Sequence, residues 1–427
     1  MDITFLGTAS AQPSPTRNHS ALAFRCDGEV WLVDCGEATQ HQLIHLNNNS
    51  SLFVADPEDA KPDTNHAPKL SKLTRIFLTH LHGDHCFGLP GLLCTAGAVV
   101  RLSNEQEQPT ANPIHIYGPR GVKSYVRSVL DASMSRIGRG IVIHELLLPT
   151  DLPSSHTTPH IDEKEGENLK ALNLSASATA DTKDGWYWNV VSGDAKIASG
   201  AGKLTVQAAP IEHTVPTVGY FFTEPKIPGK LRADLVTPIL IRNKEALGLK
   251  NPMVLLSKVK NGETLNMPDG TVVSPSAFLE PARRGRRVLV LGDTSNAIGS
   301  TFVGLVDALK EEDIKEGSTS DVVIDLVIHE ATNSCLKADI EAGTTLDAVM
   351  QQTRDHGHST PEMAAEFAKR VGAERLVMNH FSSRYKGDAE SESIVVMEEV
   401  RQLAVSIFGE RVVCARDFMN VKVNLMK

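Results

Sequence analysis

The stretch Leu78–Leu93, "LTHLHGDHCFGLPGLL", puts His80, His82, Asp84 and His85 within six residues, directly after the apolar run "LTRIF" that starts at Leu73. That run reads as a short buried strand, so the four side chains sit on the loop that leaves its end. Imidazoles at alternate positions, His80 and His82, point the same way from an extended segment and suit one divalent ion, while Asp84 and His85 turn toward a second. Gly83 permits the turn. Four ligands on so short a loop cannot reach one ion without strain, so two adjacent ions are the simpler geometry. In two-metal hydrolases a separation of about 3.5 to 4 Å lets both ions clamp an in-line displacement.

Two ions need more ligands than one loop supplies, and three further strand ends offer them. His213 closes "VQAAPIEH", Asp293 closes "RVLVLGD" and His380 closes "ERLVMNH", each after an apolar run. Strands of this kind alternate along the chain with helical patterns such as "GVKSYVRSVLDASM", "TPEMAAEFAKRVG" and "SESIVVMEEVRQLAVSIFG", whose apolar residues recur every three or four positions. The plan is α/β. Asn47–Leu70, Arg101–Pro113 and Pro149–Gly202 are rich in Asn, Ser, Thr, Pro and charge, and read as loop insertions without chemistry.

Composition narrows the setting. The chain has 427 residues, 41% of them apolar, which gives ample core. No run approaches the roughly 18 consecutive apolar residues of a membrane span, and the opening "MDITFLGTAS" lacks the pattern of a signal peptide. The 6 cysteines are scattered without CxxC pairing, which points to free thiols in a reducing compartment. Cytoplasm or nucleus fits, or an organelle where a presequence has been removed. The formal net charge is -9, so a nucleic-acid site must be a local patch. Pro225–Gly262 supplies one: Lys226, Lys230, Arg232, Arg242, Lys244, Lys250, Lys258 and Lys260 stand against Asp234 and Glu245.

These residues resemble a known family. "FLGTASAQPSPTRNHSALAF", "VWLVDCGEATQHQL", "IFLTHLHGDHCFGLPGLL", "IEHTVPTVGYFF", "VLVLGDTS", "IHEAT" and "GHSTPEMAAEFAKRVGAERLVMNHFSSRY" are similar to the blocks of short-form tRNase Z, the tRNA 3′-end endonuclease of the metallo-β-lactamase superfamily, and fall in its order. The HxHxDH signature alone marks only the superfamily; "HEAT", "HST" and "HFSSRY" are more specific. The resemblance implies an α/β fold, a four-layer αβ/βα metallo-β-lactamase sandwich spanning residues 1–427 as one domain, with a protruding exosite arm at 225–275.

It also implies roles. His80, His82 and His213 would hold one Zn2+, Asp84, His85 and His380 a second, and Asp293 would bridge them; Mn2+ suits the same ligands in vitro. A hydroxide between the ions would attack phosphorus, with Asp84 as base, and His358 of "HST", assisted by Glu330 of "HEAT", would be the acid that protonates the departing ribose oxygen. "STPE" also reads as a helix cap with Pro361 in the first turn. The substrate would be precursor tRNA, cut after the discriminator nucleotide to leave a 3′-hydroxyl, with the arm gripping the tRNA elbow and the enzyme a homodimer. Two departures stand out: Asn251-Pro252 where relatives often have Gly-Pro, and Pro15 in "PSPTRN" where a basic residue is common. Arg17 and Asn18 of that loop would contact the acceptor stem, although a plain β-turn explains the prolines equally well. The alternative is another dinuclear metallohydrolase, a phosphodiesterase or arylsulfatase acting on small substrates.

Overall fold

The computed structural model describes every residue except 27, 59–66, 104–111, 153–157, 175–184, 193–203, 228, 281 and 426–427. The described residues divide into two compact units, Met1–Thr223 with Arg286–Asn424, and Glu224–Gly285.

The first unit is built on two sheets. One runs in the order Val54–Ala55, Met419–Lys422, Asp2–Gly7, Ala21–Cys26, Glu29–Val33, Leu73–Phe77, Ile114–Pro119, Ile141–Leu147 and Glu163–Lys164. The other runs Leu172–Asn173, Trp186–Val191, Thr205–Ile211, Thr217–Thr223, Arg287–Val290, Leu326–Glu330, Leu376–Asn379 and Val412–Cys414. Both mix antiparallel hairpins with parallel strands joined by helical crossovers.

The strand period decides which side chains meet. Val288 and Val290 enter the core between the sheets while Leu289 points to the opposite face; Leu326, Val327 and Ile328 repeat the alternation. Inter-sheet packing is aromatic: Phe24 stacks on Phe222 at 4.5 Å and Phe77 meets Phe222 edge-on at 5.5 Å. Behind the first sheet lie helices Thr39–Asn48, Leu89–Ser103 and Val122–Ala132, which bury Leu43, Leu92 and Val126. Behind the second lie Thr301–Lys315, Pro361–Arg370 and Ser391–Phe408, which bury Phe302, Phe367 and Val400. The unit is therefore layered helix, sheet, sheet, helix. Strands buried on both faces read as continuous apolar runs, and so they are visible in sequence.

Two expected insertions are partly core. Within 149–202, Trp186–Val191 is a strand of the second sheet, paired with Thr205–Ile211, and Trp188 is 2% exposed with its indole N–H donating to the Leu147 carbonyl at 3.1 Å. Within 47–70, Val54–Ala55 joins the first sheet and buried Asp56 is ion-paired with Arg375. Of 101–113, residues 104–111 lie outside the described residues.

The second unit has its own small core of Val236, Leu240, Val259, Met267 and Val273, drawn from helices Ala233–Arg242 and Leu255–Lys260 and the two-stranded hairpin Leu265–Asn266/Val272–Val273. Its incoming and outgoing chains pair at Ile227–Arg283 and Leu231–Leu279. The expected arm segment 225–275 falls inside it. All eight cations named above are exposed, with Arg242 paired to Asp269 at 2.6 Å and Lys258 to Glu263 at 3.7 Å.

Candidate metal centre and proton donor

Seven of the expected residues meet at the ends of strands from both sheets. His80, His82, Asp84 and His85 follow Leu73–Phe77, His213 follows Thr205–Ile211, Asp293 follows Arg287–Val290, and His380 follows Leu376–Asn379. Ligand atoms of His80, His82, His213 and Asp293 lie within 4.8 Å of one another, as do those of Asp84, His85 and His380. Asp293 faces both groups. Its Oδ2 is 3.7 Å from His80 Nε2 and 3.9 Å from His213 Nε2, and its Oδ1 is 3.4 Å from the Nε2 atoms of both His85 and His380.

Four histidines are held so that an Nε2 lone pair points inward. The Nδ1–H of His80 donates to Thr79 Oγ1 at 3.0 Å, that of His85 to Asp34 at 2.8 Å, that of His213 to the Gly357 carbonyl at 2.7 Å and that of His380 to Thr332 Oγ1 at 3.0 Å. Fixing the outer nitrogen sets the tautomer of the inner one. The result is unfavourable unless a cation is present: His85 and His380 bring Nε2 atoms to 3.1 Å, and His80 Nε2 is buried without a hydrogen-bond partner among the described residues. Ligand atoms about 2.0–2.1 Å from a tetrahedral zinc ion are separated by slightly more than 3 Å, so the spacing fits such an ion. Burial also drives His80 well below the usual imidazole range, which keeps it neutral.

Asp34 and Thr332 are positioning residues that the sequence reading missed. Asp34 is buried at φ 61 and accepts from the Thr79 backbone N–H, the Thr79 hydroxyl and His85. His380 is also at positive φ, 57, a conformation disfavoured for a non-glycine residue, and it turns the ring back toward Asp293. The signal for Asp34 was present: it follows the apolar strand "EVWLV" just as Asp293 follows its own strand.

Beside the cluster, Glu330 is buried and fully engaged. Its Oε1 accepts from the Thr294 backbone N–H at 2.7 Å and from His358 Nδ1 at 3.1 Å, and its Oε2 accepts from the Thr332 hydroxyl at 2.6 Å. His358 Nδ1 is 3.8 Å from Asp293. Burial works against a charged His358, but the Glu330 carboxylate, followed by Asp293, overcomes it and raises the imidazole to about 9. Gly357 at φ 81 allows the approach, since a Cβ there would lie 2.5 Å from His213 Nδ1. His358 lines a cavity of about 360 Å³ with neutral hydrogen-bonding neighbours, among them Gln12, Asn333, Gln352 and Ser382.

The loop Pro13–Asn18 does not present Arg17. Ser14 and Arg17 close a turn, and the guanidinium is buried: it donates to the Tyr385 carbonyl at 2.7 Å, the Ala415 carbonyl at 2.8 Å and Thr8 Oγ1 at 2.7 Å, and lies over the Phe381 ring. The expectation that Arg17 contacts an acceptor stem is corrected, because every direction of its fork is already filled. Asn18 is half-buried, its side-chain amide donating to the Glu37 carbonyl at 3.0 Å.

Comparison with known proteins places this arrangement. The chain is 33% identical over 435 residues to "Zinc phosphodiesterase ELAC protein 1" of Bos taurus, covering 100% of this chain and 99% of the relative. The chain belongs to the short-form tRNase Z family of endoribonucleases. The Ribonuclease Z of Anoxybacillus flavithermus is 31% identical over 391 residues, 91% of this chain and 89% of that protein. The crystal structure of human tRNase Z, short form, matches with a TM-score of 0.53 and 28% identity, covering 100% of both chains, and supports the metallo-β-lactamase fold of this family member. A family model described as Anti-Pycsar protein Apyc1 matches residues 1–106, which include the HxHxDH loop. Among the described residues of this tRNase Z family member, no helix is long and apolar enough to cross a membrane.

Proposed function

We propose that the protein is a zinc-dependent endoribonuclease that removes the 3′ trailer from precursor tRNA, cutting after the discriminator nucleotide. The observation that carries this reading is the His358–Glu330 pair set against Asp293 in a seven-residue ligand cluster. His80, His82 and His213 would hold one cation and Asp84, His85 and His380 a second, with Asp293 facing both sets. Such cations, two per subunit, would supply Lewis acidity that lowers the pKa of water toward neutrality and neutralises developing phosphoryl charge.

The chain's own residues do the rest. Asp84, tethered by the Ala11 backbone N–H at 2.7 Å and close to His380, orients the attacking water and accepts its proton. A ribose oxygen is a poor leaving anion, so His358 delivers a proton to it while Glu330 holds the imidazole in place and charged. A raised pKa keeps that proton available at neutral pH. The exposed lysines and arginines of Glu224–Gly285 hold the phosphate backbone of the tRNA body. Following the family resemblance, the enzyme works as a homodimer in which one subunit's arm holds the tRNA that its partner cuts.

The test is cleavage of an end-labelled precursor tRNA with mapping of both new ends. A 3′-hydroxyl on the discriminator nucleotide and a 5′-phosphate on the trailer are expected. Intact precursor alongside hydrolysis of bis-p-nitrophenyl phosphate would instead mark a small-substrate metallohydrolase.

A further inference from the structure

A second cavity, of about 330 Å³, opens near the same strand ends and has no part in the chemistry above. That volume is at the small end of the roughly 300–1,000 Å³ typical of ligand sites. Its walls include Arg120, Leu148, Trp186, Ile211, Pro216 and Thr217. Ile211 and Pro216 flank His213 in the turn between two strands, and Gly121, next to Arg120, packs so closely that a Cβ there would lie 3.2 Å from Leu81, the residue between His80 and His82. The cavity thus adjoins the His80–His82–His213 side of the cluster.

Two groups in it lack partners. Trp186 Nε1 is buried without a hydrogen-bond acceptor among the described residues, and exposed Arg120 makes no ion pair among them. An indole face and an exposed guanidinium beside Leu148, Ile211 and Pro216 offer a nucleotide stacking for its base and a cation for its phosphate, while the Asp151 carboxylate in the same wall is engaged by the Leu148 backbone N–H at 2.8 Å. Which nucleotide follows from the position of the acid. His358 lines the other cavity, and the oxygen it protonates belongs to the ribose on the 5′ side of the cut, so that cavity takes the upstream nucleotide. The RNA then continues across the cluster.

Resting on the trailer-removal reading, we infer that the Trp186–Arg120 cavity binds the first nucleotide of the trailer, its base stacked on Trp186 and its 3′-phosphate on Arg120. The strand "WYWNVV" is then both a sheet element and a substrate platform.

The experiment uses the metal-loaded protein and two RNAs, a precursor tRNA and the same RNA abasic at the first trailer position. Loss of a stacked base costs about 5- to 100-fold in binding, so the abasic RNA should lower kcat/KM of the wild type by that factor, with KM bearing the loss. Trp186→Ala should lose the same factor on the normal RNA and nothing further on the abasic one. A merely structural Trp186 would give independent, multiplying losses, which overturns the inference, as does an abasic RNA cut as well as the normal one.

Fluorescence gives an independent reading even if precursor tRNA proves not to be the substrate. The chain has 3 tryptophans; Trp31 and Trp188 are 0% and 2% exposed, but Trp188 shares the cavity wall with Trp186, so the part of any quenching that belongs to Trp186 is the part lost in Trp186→Phe. A 5′-phosphorylated uridine trinucleotide should quench the wild type but not Trp186→Phe, a variant that keeps the strand aromatic, and Arg120→Ala should weaken it. Absence of quenching in the wild type overturns the pocket; quenching without cleavage of precursor tRNA keeps the pocket and removes the trailer.

Discussion

Glu330 shows how one buried carboxylate can decide a reaction's pH range. It is 2% exposed and lies 3.1 Å from His358, whose imidazole it raises to about 9. An acid must be protonated to work, so turnover should persist as pH rises and fall only as His358 deprotonates. Glu330→Gln removes the charge that favours imidazolium, and the alkaline limb of the kcat profile should move to lower pH. His358→Ala should lower kcat on precursor tRNA by about 10²- to 10⁴-fold, the usual worth of a positioned acid. Bis-p-nitrophenyl phosphate, whose leaving group needs no proton, should lose far less. An unmoved limb in Glu330→Gln would assign the proton donor elsewhere. Arg17 teaches the opposite lesson. Removing its fork leaves the Tyr385 and Ala415 carbonyls without the donors they have now. Arg17→Ala should therefore destabilise the fold by about 2–4 kcal/mol, read as a lower denaturant midpoint, while KM of the folded fraction stays put. A raised KM at unchanged stability would return Arg17 to the substrate.

At the scale of elements, the exposed cations of Glu224–Gly285 carry a prediction about salt. Replacing Lys226, Lys230, Lys250 and Lys260 together by Glu should raise KM for precursor tRNA at least tenfold and flatten the dependence of log KM on log salt, since fewer counterions are displaced. An unchanged salt slope would mean that these lysines only solvate the unit. Their sequence showed the charge and not the fold: helix Ala233–Arg242 carries Pro238 in its interior, which breaks helical patterning on paper. The strands bearing ligands were legible because burial on both faces makes each a short apolar run that stops at a polar residue. Trp186–Val191 was hidden for the reverse reason. Five of its six residues are aromatic or β-branched, Asn189 being the exception, yet they lie between polar tracts long enough to set the composition of any window around them. Arg17 was illegible in principle, because a basic residue in a turn looks the same whether its partners are water or carbonyls contributed by residues 385 and 415.

At the scale of the molecule, the ligand set is divided between the sheets. His80, His82, Asp84 and His85 leave the first; His213, Asp293 and His380 leave the second. Cations held by both sets would cross-link the two halves of the sandwich, and they would bind a geometry that an unfolded chain lacks. Such a ligand stabilises the native state by RT ln(1 + [L]/Kd), about 4 kcal/mol when it is present at a thousandfold its Kd. Without it, inward lone pairs and two carboxylates face one another around a buried His80 Nε2 that has no hydrogen-bond partner among the described residues. The aromatic core between the sheets does not depend on the cations, so the chain should remain folded when they are removed. Dialysis against a chelator should thus abolish phosphodiester hydrolysis and lower Tm by several degrees, with both restored by added zinc and elemental analysis returning two zinc ions per chain. Asp293→Asn, which weakens the carboxylate facing both groups, should reduce metal content and most of the zinc-dependent rise in Tm together. Should Tm stay unmoved by the chelator while the wild type carries no metal, the converging imidazoles would not be a metal centre, and the proposed chemistry would fall with them.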